Sequence, residues 1–274
     1  MLRFWQRRRE RKAAFERSEI PVLQCSGATK QGSRANNQDN FRLGSLVGMT
    51  EPVGPFCASG AMLLDQTQVF CVCDGIGGGA RGELASWMAL RSIQQCFEQL
   101  CVEEYDLQEL VQEAAEAAHS GVLEMYRRMG DAGGCTLTMI ALRGTRYEFL
   151  NIGDSPAFYY DRVRRQVREL SCRHNRAWES IAKGEKPEAR SHQRLIHYLG
   201  REGFMASEMA HSCGGELRCG DGFLLCSDGV AEAFTPAGLK RAMKRQRNAD
   251  VLTDKAARLE NADNCTAICL TVGR

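Results

Sequence analysis

Short apolar runs separated by turn-rich polar stretches fill both ends of the chain, and the period changes only in the middle. Gln24–Leu43, interrupted by Gly27 and Gly32, predicts one or two strands. Gly44–Gly60, with Pro52 and Pro55, predicts a loop, and Met62–Val72 is extended and runs into Asp74. After the Gly77-Gly78-Gly79 turn, Leu84, Met88, Phe97 and Leu100 give an inner face to a helix over 83–100. Apolar residues from Leu107 to Met129 then recur at helical spacing, which predicts a long amphipathic helix whose stripe rests on a core.

Strand patterning returns at Cys135–Leu142 and Thr145–Ile152, joined by an Arg143-Gly144 hairpin turn, and again at Pro156–Tyr160 and Gln166–Leu170. The stretch from Ser171 to Met209 is irregular and polar and predicts a surface segment with short helices. Beyond it come a strand at Gly222–Ser227, helices at Pro236–Arg247 and Val251–Glu260, and a closing strand at Cys265–Val272. Strands at both ends around two consecutive helices argue against a parallel βαβ sheet. They predict an α+β fold, a β-sandwich of two antiparallel sheets flanked by helices (αββα), as one domain over residues 21–274 behind a tail at 1–20.

Composition narrows the function. A net charge of only +2 gives no support for a nucleic-acid or membrane role, and no apolar run approaches the roughly 18 residues needed to span a bilayer. The basic start, with Phe4 and Trp5 beside Arg7, Arg8, Arg9, Arg11 and Lys12, lacks the apolar stretch of an export signal and reads as a solvated tail. Many of the 13 cysteines sit inside apolar strand runs, where they act as small hydrophobes; the odd count and absent pairing pattern predict reduced thiols in a cytoplasmic protein.

Three apolar runs end at aspartates: Val69–Cys73 before Asp74-Gly75, Phe223–Ser227 before Asp228-Gly229, and, in reverse, Asp263-Asn264 opening Cys265–Leu270. Any one Asp-Gly commonly caps a turn. Carboxylates delivered to one rim of a sheet repel each other, however, unless a cation sits among them, and oxygen ligands suit Mg2+ or Mn2+.

Six motifs follow one another along the chain: Arg34-Ala-Asn-Asn-Gln38-Asp39, Asp74-Gly75-Ile76-Gly77-Gly78, Gly134-Cys-Thr136, Gly153-Asp154-Ser155, Ser227-Asp228-Gly229 and Asp263-Asn264. In this order they resemble the metal-dependent protein phosphatase family, also called the protein phosphatase 2C family, and most closely its bacterial members, over about Gln24 to Val272. The resemblance implies a phosphoserine/phosphothreonine phosphatase with two Mn2+ or Mg2+ ions in a cleft at one end of the sandwich, in which a metal-bridging water attacks phosphorus. By motif position Asp74 bridges the ions, the Gly75 carbonyl binds the second, Asp228 and Asp263 complete the first, and Asp39 holds waters on the second. Asp154 matches, with Asp228, a third and weaker ion site, and Arg34 matches the arginine that grips the substrate phosphate. Phosphorylated proteins are the implied partners, opposite a Ser/Thr kinase, with the chain acting as a monomer.

Two positions depart from the family pattern. Gln38 stands where most relatives carry glutamate, which predicts weaker metal affinity, and Ile76 stands where animal relatives have a histidine proposed as general acid. Gln38 and Pro156 also motivate a contrasting reading, a non-catalytic module that binds phosphoproteins. His174 reads as a structural histidine, and the segment from Ile181 to Gly200 resembles the family's variable flap beside the cleft.

Overall fold

Alternation along the strands sorts their side chains onto two faces, and both faces of each sheet are apolar, so each sheet must be covered twice. The computed structural model describes residues 20–44, 56–76, 81–188, 191, 194–245 and 248–273. The basic tail, Gly77-Gly78 and His192 lie outside the described residues. The strands are β1 (Val22–Lys30), β2 (Asp39–Leu43), β3 (Phe56–Leu63), β4 (Gln68–Asp74), β5 (Leu137–Arg143), β6 (Arg146–Ile152), β7 (Ala157–Asp161), β8 (Gln166–Glu169), β9 (His211–Glu216), β10 (Gly222–Cys226) and β11 (Cys265–Val272). They form a six-stranded sheet in the order β3-β1-β11-β10-β7-β8 and a five-stranded sheet in the order β2-β4-β5-β6-β9. Neighbouring strands pair antiparallel throughout.

The helices are α1 (Gly82–Gln99), α2 (Leu107–Met129), α3 (Arg176–Ala182), α4 (Ala206–Met209), α5 (Asp228–Ala231), α6 (Pro236–Lys244) and α7 (Ala249–Ala257). Three apolar layers result. Phe41, Phe70, Phe149, Phe223 and Ile268 fill the space between the sheets. Leu90, Ile93, Leu110, Val122 and Met139 join α1 and α2 to the five-stranded sheet, while Leu224, Leu239, Leu252 and Ala267 join α6 and α7 to the other. The expected αββα sandwich is therefore the observed one. No helix among the described residues is long and apolar enough to cross a membrane.

Differences from the sequence reading have local causes. Phe56–Gly60, expected as loop, already belongs to β3, an edge strand of small residues whose order comes from pairing with β1 rather than from an apolar stripe. The extended run from Met62 to Val72 is broken at residues 64–67, because β3 pairs in one sheet and β4 in the other. β9 carries no apolar alternation; it holds two glycines and is registered by β6.

Phe41 is fully buried between the sheets, two residues along β2 from Asp39, and its ring lies so close to Gly27 that a Cβ there would meet it at 2.5 Å. Phe41→Ala empties this contact and is expected to cost about 3–5 kcal/mol, read as a lower denaturation midpoint in urea.

Candidate active site

Strand parity carries two carboxylates into the gap between the sheets. On β2, Asp39 lies on the same face as Phe41 and Leu43; on β4, Asp74 lies on the same face as Phe70 and Val72. The register sets Asp39 directly opposite Asp74 across the β2–β4 pair. The facing sheet closes the gap with hydroxyls rather than methyls: Thr29 and Thr266 approach at 2.6 Å, and Ser227 is fully buried beside them.

Loops at the same end bring in the rest. Asp228 is the first residue of α5, immediately after β10. Asp263 precedes β11 and is fixed through its neighbour Asn264, whose Oδ1 accepts from the Gln38 N–H (2.9 Å) and whose Nδ2 donates to the carbonyls of Gln31 (2.8 Å) and Asn36 (2.9 Å). Asp154 follows β6; its Oδ2 accepts from Asn175 Nδ2 at 3.0 Å, while Asn175 Oδ1 accepts from the Trp178 N–H and caps α3. Gly75 donates its N–H to the Gln38 carbonyl (3.1 Å), and a Cβ on it would stand 2.3 Å from the Gly82 carbonyl, so only glycine fits at this crossing. Thr136 Oγ1 accepts from the Asp74 N–H at 3.0 Å.

Arg34, Asp74, Gly75, Asp154, Asp228 and Asp263 thus line one cleft of about 510 Å³, with Asp39 buried behind Asp74. All seven residues expected at the site from the sequence are together. The cleft also holds groups that the sequence reading did not assign to it: Arg173, Asn175, Trp178 and Glu232. Asn175 had a legible signal as a cap before the helical run of α3. Arg173 had none, standing in a stretch without period.

The electrostatics are those of crowded acids. Burial, then Asp39, Asp228, Asp154 and Asp263, hold the Asp74 carboxyl well above the ordinary carboxylate range. Burial followed by Asp154 and Asp39 pushes Asp228 up to about 7, and burial raises Asp154 as well. Asp39 is pushed up to about 6, chiefly by burial. The Ser227 and Thr266 hydroxyls ease its charge, yet neither of its carboxylate oxygens receives a hydrogen bond of good geometry. Among the described residues Arg34 is ion-paired to the cluster, its Nη2 donating to Asp263 Oδ2 and its charge further favoured by Asp228 and Asp74, while the Arg173 charge eases that of Asp154.

A buried carboxylate with unused lone pairs among like charges is a donor set for a hard cation. Among the described residues no three or more Asp, Glu, His or Cys side chains are gathered so as to hold a metal ion among themselves. The aspartates ring an open cleft instead, which fits hydrated Mg2+ or Mn2+, ions that keep several waters and need few carboxylates each.

His174 lies outside this set. Its Nδ1 accepts from the Gly153 N–H at 3.2 Å, which leaves the ring proton on Nε2, and burial with His197 and His211 nearby lowers it to about 4. It supports the Asp154 turn as a neutral ring.

A family profile described as Protein phosphatase 2C matches residues 57–262. The serine/threonine phosphatase Stp of Listeria innocua serovar 6a is 29% identical over 220 residues, covering 74% of this chain and 84% of that protein. The serine/threonine protein phosphatase PstP of Mycobacterium tuberculosis is 24% identical over 277 residues, covering 92% of this chain and 45% of that protein. The solved catalytic domain of PstP in complex with 2 manganese ions superposes with a TM-score of 0.71 at 23% identity, covering 93% of this chain and 100% of that one. PppA, a key regulatory component of T6SS in Pseudomonas aeruginosa, gives 0.73 at 17% identity, covering 92% and 99%. The sandwich is the fold of these solved phosphatases. The chain belongs to the protein phosphatase 2C family and is a serine/threonine phosphatase.

Because Asp39 and Asp228 titrate above their unfolded values, they favour the fold fully only below the ordinary aspartate range, and that contribution is lost as pH rises through about 6 to 7. Chelator-treated protein should therefore melt at lower temperature at pH 8 than at pH 5. Asp228→Asn should raise the pH 8 melting temperature and flatten the profile; differential scanning fluorimetry across this range checks both, and an unchanged profile in Asp228→Asn would contradict the assignment.

Proposed function

We propose that this chain is a Mn2+- or Mg2+-dependent phosphatase of phosphoserine and phosphothreonine in proteins. The observation that carries the reading is the buried Asp39 carboxylate set opposite Asp74 at the mouth of the sandwich, neither of its oxygens receiving a hydrogen bond of good geometry. Asp74 would serve both of two such ions, with the Gly75 carbonyl and Asp39 serving one and Asp228 and Asp263 the other; Asp154 with Asp228 would offer a weaker third position. Bound cations of this kind supply a water nucleophile active at neutral pH and neutralise phosphate charge.

The chain's own groups do the positioning. Arg34 exchanges its contact with Asp263 for two phosphate oxygens, which its planar fork matches while remaining charged. The phosphorus is thereby oriented for in-line displacement of the seryl or threonyl oxygen. None of the described residues lining the cleft is a histidine, Ile76 standing where animal relatives have one, so the leaving oxygen takes its proton from water or from another group of the cleft. No described cysteine lines the cleft either, and burial pushes the Cys265 thiol up to about 12, so a cysteinyl phosphoenzyme is not part of the reading. Substrates are phosphorylated proteins, opposed to a cytoplasmic Ser/Thr kinase, and the chain acts as a monomer; its near-neutral charge gives nucleic acid no role.

Gln38 reaches the start of α1, where its amide would meet a Cβ on Gly82 at 2.8 Å. A neutral amide there removes a charge beside the second ion, which weakens its binding.

Purified protein should hydrolyse p-nitrophenyl phosphate with Mn2+, lose that activity with chelator, and fall at least about 100-fold in Asp74→Asn and Asp228→Asn. Gln38→Glu should tighten Mn2+ binding in calorimetric titration. Activity that survives both chelator and Asp74→Asn would overturn the mechanism, and phosphopeptide binding without any Mn2+ binding would return the chain to a non-catalytic module.

A further inference from the structure

Arg173 stands between β8 and α3 and lines two hollows at once. One is the aspartate cleft; the other is a hollow of about 450 Å³ whose floor includes Phe158, Val167, Phe234 and Leu239. Its Nε donates to Glu169 Oε1 at 2.9 Å, and its guanidinium carbon lies 5.8 Å from the centre of the Trp178 ring. The two terminal nitrogens donate to no group among the described residues, although the side chain is only 27% exposed. A guanidinium held by one edge and one face, with its fork unused, is pre-organised for an anion.

The second hollow is the better place for that anion. The aspartate cleft is already served by Arg34, whereas the hollow carries Arg173 and Lys240 against the single carboxylate of Glu169. An apolar floor under a cationic rim fits an apolar side chain next to an acidic one, and the shared Arg173 sets the hollow beside the cleft proposed to hold phosphate.

We propose that this hollow receives the stretch of substrate chain adjoining the phosphoresidue, with an aspartate or glutamate on Arg173 and an apolar side chain on the Phe158–Val167–Phe234 floor. The proposal rests on the phosphatase reading and names its substrate class: phosphoproteins in which the modified residue has acidic and apolar neighbours. Arg173 is a specificity residue here. Glu169 competes with the substrate carboxylate for the same guanidinium and sets how strongly it is preferred.

The test compares kcat/KM of the Mn2+-loaded full chain on a phosphothreonine peptide flanked on each side by leucine and aspartate, and on the same peptide with both aspartates changed to asparagine. The wild type should prefer the aspartate peptide by about fivefold, the size expected for a partly screened charge pair. Arg173→Ala should abolish the preference, Arg173→Lys should keep part of it, and Glu169→Gln should enlarge it. Serine in place of the peptide leucines should lower kcat/KM in the wild type. A role limited to holding Trp178 and Glu169 in place predicts something else: Arg173→Ala and Glu169→Gln would weaken both peptides equally. That result, or a wild type without preference, overturns the proposal. Should the wild type hydrolyse neither p-nitrophenyl phosphate nor peptide, the phosphatase reading fails. Fluorescence anisotropy of the labelled aspartate peptide then decides the docking alone, with Glu169→Gln tightest and Arg173→Ala weakest if it holds, and equal binding if it does not.

Discussion

Two carboxylates set opposite each other on neighbouring strands govern the rest of the molecule. Like charges at such a position destabilise a sheet even at the surface, and Asp39 and Asp74 meet at the edge of a packed interior. Burial alone would neutralise them by protonation, which is the direction in which both are shifted. The fold keeps the pair by surrounding it with groups that tolerate either outcome. Hydroxyls of Thr29, Ser227 and Thr266 face it where methyl groups would otherwise complete the core, and Arg34 balances the outer rim.

The surrounding loops hold the aspartates still without using their charge. Asn264 ties the segment before β11 to the segment before β2, and Asn175 ties the turn after β6 to the start of α3. Both are amides, which can donate and accept without adding to the negative field. Thr136 does the same for the Asp74 backbone. Apart from the Arg34–Asp263 pair, these ties come from neutral groups, which leave the negative charge of the cleft in place.

Much of this was legible in the sequence because the elements that carry it are strongly patterned. The runs before Asp74 and Asp228 and after Asp263 are buried strands, and a strand's period fixes which end points at the rim. What could not be read was register. Nothing in the sequence says that Asp39 faces Asp74, since that depends on β2 and β4 pairing across a long excursion of chain through the other sheet. Edge strands were also hidden: β3 is built of small residues and β9 of polar ones and glycine, so backbone pairing rather than an apolar face orders them. Arg173 and Asn175 lie in a polar stretch without periodicity, where only the fold decides what a side chain meets.

β11 lies between β1 and β10 in the six-stranded sheet, with Leu23 opposite Val272. Before β11 joins, the two strands beside its place are unpaired on facing edges, and the seam between them cannot close. Contacts that link segments more than 200 positions apart, such as Gln38 with Asn264, form only after that step. Such a topology folds slowly and leaves sticky edges open in the meantime. Asp263 and its tether Asn264 lie immediately before β11, so that side of the acidic mouth takes its place only when the last strand does, although Asp39 and Asp74 meet in the other sheet.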